Sequence, residues 1–147
     1  MIRLTFLAPV GLAPGERSLS LSLRTGTGYN FNAADTDRCP IEIYMSSSLV
    51  WQAVVSIRRI IDRDGRRLDR PTQVPFGSPI KNRVDVELRI RQAQEALLNP
   101  NITDMDTFLN HPGESRPGEL RFTRNSIVVE IRGPGVDDLA FVDLPGG

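Results

Sequence analysis

The chain has one lysine, one cysteine and one histidine among its 147 residues, and each scarcity excludes a class of chemistry. The lysine is Lys81, in S-P-I-K-N-R, with no glycine run before it. A loop of the form G-x-x-x-x-G-K-[ST], which cradles phosphates with backbone amides and a lysine, is therefore absent. A base-reading [NT]-K-x-D motif is absent too, because Lys81 follows Ile80 rather than an asparagine or threonine. With Cys39 alone there is no internal disulfide framework, and Cys39 with His111 cannot assemble a Cys/His zinc site. Nothing in the sequence orders Cys39 and His111 into a nucleophilic pair, so Cys39 is expected as a small semi-buried side chain at a strand start.

Charge of one sign is also missing. Eighteen basic residues balance eighteen acidic ones, so general attraction to nucleic acid or to an anionic membrane is not expected. Arginines do cluster at Arg58, Arg59, Arg63, Arg66, Arg67 and Arg70, but Asp62, Asp64 and Asp69 are interleaved with them, which predicts a solvated hairpin end rather than a binding patch. No apolar run approaches the roughly eighteen residues of a membrane span. The opening segment, broken by Pro9 and Gly11, fits secretory targeting poorly. Its arginines, serines and lone Glu16 loosely suit an organellar transit peptide, while a cytoplasmic location agrees with the cysteine usage.

What is present is enough for one globular domain, since 39% hydrophobic residues in a chain of this length supply a usable core. Residues 1–35 lack a sustained period and read as an irregular N-terminal arm. The runs I-E-I-Y-M and W-Q-A-V-V-S-I-R-R-I-I predict strands over 40–46 and 51–61, joined by a serine turn, with further turn chemistry at Asp64-Gly65. A helix is predicted over 83–98: Val86, Ile90, Ala93 and Leu97 share one face, Arg89, Arg91, Gln92 and Glu95 lie largely away from it, and Asn82 is the N-cap. Asn99-Pro100 ends it. Residues 99–117 read as an exposed loop with one helical turn at 106–110, and Asp104 and Asp106 lack the spacing of a calcium loop. Two last strands are predicted over 126–132 and 138–143, as antiparallel neighbours because G-P-G-V-D between them is so short. The fold class is α/β, a mixed sheet with one long helix.

The final strand runs into D-L-P-G, an Asp-x-x-Gly sequence that holds magnesium and senses a terminal phosphate in P-loop GTPases but is common by itself. Several separate stretches extend the likeness. T-D-R-C-P-I-E-I at 36–43 resembles a switch segment ending T-R-C-P-x-E. V-S-I-R at 55–58, D-R-D-G-R-R-L at 62–68 and V-P-F-G at 74–77 follow in order. V-E-L-R-I-R-Q-A-Q-E-A-L-L-N-P closes at Pro100, and I-R-G-P-G-V-D-D-L-A-F-V-D-L-P-G closes at Gly146. Together they resemble the fungal dynamin-like large GTPases, within the N-terminal GTPase domain, so that residues 36–147 correspond to part of that domain.

The resemblance implies GTP and magnesium as ligands and GTP hydrolysis coupled to membrane remodelling and fission, on organelle membranes in some members. It makes Asp143 the magnesium-linked aspartate, acting through water, and Gly146 the glycine at the terminal phosphate. The switch threonine falls at Asp37, with Thr36 one place early as the remaining ligand of this kind. No catalytic residue is assigned. Because the phosphate-loop strand and loop are missing, the chain is expected not to bind or hydrolyse GTP alone. The family fold would set the last strand beside that missing strand, leaving Leu139, Phe141 and Val142 as an adhesive edge. From this follows a second expectation, of an interaction fragment that binds a full-length relative, or itself, by strand addition without nucleotide.

Overall fold

The computed structural model describes residues 4–6, 38–110, 116–136 and 138–143. Six strands form one sheet: β1 (Leu4–Phe6), β2 (Ile41–Ser47), β3 (Gln52–Ile61), β4 (Arg67–Pro75), β5 (Ser126–Gly133) and β6 (Leu139–Asp143), in the spatial order β1-β6-β2-β5-β3-β4. Only β2 and β5 run parallel; the other pairs are antiparallel. The sheet is mixed and the class is α/β, as the sequence predicts.

Alternation builds the core. Ile41, Ile43 and Met45 of β2 stand opposite Ile127, Val129 and Ile131 of β5, which stand opposite Ile57, Val55 and Ala53 of β3. All nine are buried. Helix α1 (Val86–Leu98), entered through a 3-10 turn at Arg83–Asp85, closes this face. Its Val86, Ile90, Ala93 and Leu97 are buried in the same cluster as the nine strand residues. Asn82 caps the entry turn, accepting from the Val84 amide at 3.3 Å. At the other end Asn99 donates Nδ2 to Glu95 O at 2.8 Å, and the helix stops before Pro100 as expected.

The buried surface of α1 is wider than its aliphatic stripe. Gln92, assigned from its spacing to the outward side, is 5% exposed and donates Nε2 to Leu109 O at 3.1 Å. The cause is α2 (Asp106–Asn110), the expected helical turn, whose Phe108 is wholly buried beneath the Arg116 guanidinium. Residues 99–117 are therefore not simply an exposed loop. Asp104 and Asp106 are exposed, and Asp104 caps the turn by accepting from the Asp106 amide at 3.1 Å.

Three expectations about the sheet need correction. First, β5 and β6 are antiparallel in direction but are not neighbours, because β2 lies between them. The segment between them crosses the end of β2, where the Ser48 amide donates to Gly133 O and the Ser47 amide to Asp138 Oδ1. Crossing one intervening strand requires about 10 Å, within reach of five residues. Second, β4 was not anticipated. Its R-L-D-R-P-T-Q-V-P has no apolar alternation because it is the outer strand, exposed along most of its length, with Pro71 and Pro75 and its charges opposing further strand addition. Third, Leu4–Phe6 within the supposedly irregular arm is a strand and pairs with β6 from Leu4↔Asp143 to Phe6↔Phe141. The final strand thus has neighbours on both flanks, and the open edge expected at Leu139, Phe141 and Val142 is taken in part by β1. The remainder of residues 1–35 lies outside the described residues.

The β3–β4 hairpin has two local supports. Asp62 Oδ1 accepts from the amides of Asp64 and Arg66, both at 2.9 Å, which closes the turn around Gly65 at φ 80°. Beyond it the register shifts between Arg59 and Ile61, and Asn125 fills the irregularity, its Oδ1 accepting from the amides of Ile60 at 2.8 Å and Ile61 at 3.1 Å.

Two stability outcomes follow. Leu97→Ala, which empties a buried position over β3 and β5, is expected to lower unfolding free energy by about 2–5 kcal/mol, read as a reduced urea midpoint at unchanged slope. Asn125→Ala leaves two bulge amides without their acceptor and is expected to cost about 1–3 kcal/mol, with faster hydrogen exchange confined to Ile60 and Ile61.

Candidate functional site

The strand register brings together the two stretches that carry the GTPase likeness. Ile41, which opens β2 just after the T-D-R-C-P segment, stands directly opposite Asp143, which closes β6 at the start of D-L-P-G. The chain separates these residues by about a hundred positions, and one antiparallel pair makes them adjacent. Asp143 is flanked on its other side by Leu4. Thr36 and Gly146, the other residues implied in phosphate and magnesium contact, lie outside the described residues, as does His111.

The chain leading into β2 is anchored. The Thr123 amide donates to Arg38 O at 2.9 Å and the Ile127 amide to Pro40 O at 2.9 Å. The Arg38 guanidinium donates to Leu120 O at 2.7 Å and Arg121 O at 3.2 Å, and pairs with Glu119 at 3.6 Å. Between these anchors Cys39 is fully buried rather than semi-buried. That burial makes it a packing residue of the strand start and removes the thiol from solution chemistry.

The single lysine is at the opposite end of the sheet. Lys81 follows Ile80, which pairs with Ala53, and Ala53 lies four residues along β3 from Ile57 in the row of Ile41 and Ile127. Four residues of strand are about 13 Å. Lys81 Nζ donates to Gln52 Oε1 at 2.6 Å there. The direction of β1 is equally telling. Because β1 is antiparallel to β6, the chain leaves Phe6 beside Phe141 and moves away from the Asp143 end. A phosphate loop must follow its strand at the Asp143 end, so β1 is not a strand of that kind. Among the described residues no group of three or more Cys, His, Asp and Glu side chains is placed to hold a metal ion.

The V-P-F-G stretch has a structural explanation that its sequence did not disclose. After β4 the chain turns at Gly77, with φ 78°, and returns to β3 through the Phe76 amide to Val55 O and the mutual Ala53 and Ile80 bonds. Arg89 Nη1 reaches up from α1 and donates to Phe76 O at 3.1 Å and Ser78 O at 2.8 Å. The positive φ favours glycine, and a Cβ at Gly77 would press on the Arg89 guanidinium, which would have to shift from its two carbonyls. Of the clustered arginines, Arg63, Arg66, Arg67 and Arg70 are exposed around the hairpin end, as predicted. Arg59 is half-buried, and burial lowers its pKa from the usual arginine value.

Comparison with protein-family models and with curated proteins found no match to this chain. The likeness to dynamin-like GTPases therefore rests on the motifs and on the register that joins them.

Gly77→Ala is expected to destabilise the fold by about 1–3 kcal/mol, because it forces a left-handed backbone on a side chain that also strikes Arg89. Denaturation of Gly77→Ala, Arg89→Ala and the double variant checks this: removal of the clash in the double variant makes the pair less destabilised than the sum of the singles.

Proposed function

We propose that the chain is part of the GTP-binding domain of a dynamin-like membrane-remodelling GTPase, and that it does not hydrolyse GTP by itself. The observation that supports this reading is the Ile41↔Asp143 pair, which makes the residue after T-D-R-C-P and the first residue of D-L-P-G neighbours on adjacent strands. In the proposed domain Asp143 would hold magnesium through water, with Gly146 and Thr36 nearest the phosphates.

The residues present do not amount to a complete nucleotide site. Phosphoryl transfer to water is driven by positioning and by neutralising phosphate charge with lysine, amides and metal acting together. Here the lysine is bonded to Gln52 at the far end, and β1 leads away from Asp143. No hydrolytic step is derived from this chain alone. Among the described residues no helix is long and apolar enough to cross a membrane, so membrane action would come through other segments of the family. The alternative, strand addition to a full-length relative, has a smaller edge to use than expected, since β1 pairs with Phe141–Asp143 of β6.

Two measurements test the proposal. Purified chain with GTP and magnesium is expected to release phosphate at the rate of buffer; turnover that disappears in Asp143→Ala would overturn the inactive part. Sequencing the transcript upstream of codon 1 addresses the family part: an in-frame G-x-x-x-x-G-K-[ST] supports it, and an in-frame stop with no such segment counts against it.

A further inference from the structure

Between the 77–81 segment and α1 lies an open cavity of about 440 Å³. Its walls include Lys81, Asp85, Leu88, Arg89, Gln92 and Leu109. The volume falls in the range of small-molecule sites, which runs from about 300 to 1,000 Å³. The chemistry of the wall is uneven. Two side chains are cationic and one is anionic, and neither cation is in an ion pair with a carboxylate. Elsewhere Arg38, Arg58, Arg91, Arg116 and Arg132 pair with glutamates.

Arg89 is also anchored. Both of its hydrogen bonds come from Nη1, to Phe76 O and Ser78 O, and they fix the guanidinium plane while Nε and Nη2 keep their protons unspent. Two N–H groups held in a fixed fork match the oxygens of a carboxylate or phosphate, and the fork loses little entropy on binding because the backbone already holds it. Lys81 Nζ donates to one neutral acceptor, Gln52, and has further protons to give. Gln92 is held by Leu109 O through Nε2, leaving its Oε1 as an acceptor on the wall. Leu88 and Leu109 supply an apolar surface, and Leu88 is 47% exposed.

We propose that this cavity is a binding site for a small organic anion, with its carboxylate or phosphate oxygens on the Arg89 fork and Lys81 and its apolar body against Leu88 and Leu109. The site is independent of the GTPase reading. It lies toward the Ala53–Ile80 end of the sheet, away from Asp143, and requires neither nucleotide nor magnesium. Gly77 is part of its construction, because a Cβ there would press on the Arg89 guanidinium where it meets the two carbonyls that orient it.

The test uses the full chain, isotopically labelled, with phenyl phosphate, benzoate and the neutral benzyl alcohol as probes, followed by amide chemical shifts. Saturable shifts at Gly77, Ser78, Lys81, Leu88 and Arg89 are expected with an anionic probe, with a dissociation constant on the order of 1 mM that weakens as salt is raised. Whether phenyl phosphate or benzoate binds more tightly identifies the head group. Lys81→Gln, at an exposed side chain, is expected to weaken binding by about threefold or more with the spectrum otherwise preserved. Arg89→Lys keeps the charge but loses the fork and is expected to weaken it further; if that variant fails to fold, Lys81→Gln decides alone. No saturable shift with either anion, equal binding of benzyl alcohol, or unchanged affinity in Lys81→Gln would each overturn the proposal.

Discussion

Burial of one helical stripe on three cross-strand rows is the interaction on which the rest of this structure depends. Val86, Ile90, Ala93 and Leu97 cover the rows in which β2, β5 and β3 each present an aliphatic residue. Each valine, leucine, isoleucine and methionine among them contributes about 1.5–3 kcal/mol when fully buried, so the stripe and rows together outweigh any single polar contact in the molecule. The same packing selects the strand order. β5 lies between β2 and β3, so the three rows are continuous although sequence neighbours β2 and β3 do not pair.

Around this core, polar side chains repair the places where the backbone departs from regular geometry. Arg89 serves the carbonyls around Gly77, Asn125 serves the bulge amides of β3, and Arg38 holds the loop carbonyls at Leu120 and Arg121. Each satisfies groups that would otherwise be left without partners, at a cost comparable to a lost hydrogen bond. Most of the exposed ion pairs contribute little by comparison.

The two ends of the sheet have different chemistry. One joins the switch-like segment to Asp143 and lacks a lysine; the other has the lysine, a fork-presenting arginine and a cavity, without any nucleotide motif. The separation is physical, since a lysine about 13 Å along the strands cannot reach phosphates at the Asp143 end.

Periodicity in the sequence located β2, β3, β5 and β6 to within a residue and α1 to within three, because each has a buried face and burial imposes a period of 2 or 3.6. The lone lysine, by count alone, decided that no phosphate loop of the usual kind is present. Other features had no such signal. β4 is an exposed edge without alternation, β1 has three residues, and the burial of Gln92 depends on α2 packing against α1. Strand order was illegible for the same reason: any of several orders buries these aliphatics, and only the complete three-dimensional packing places β2 between β5 and β6. That placement, and nothing local to either motif, puts Ile41 beside Asp143, and the fold alone turns a glycine in V-P-F-G and an arginine on a helix into two parts of one cavity.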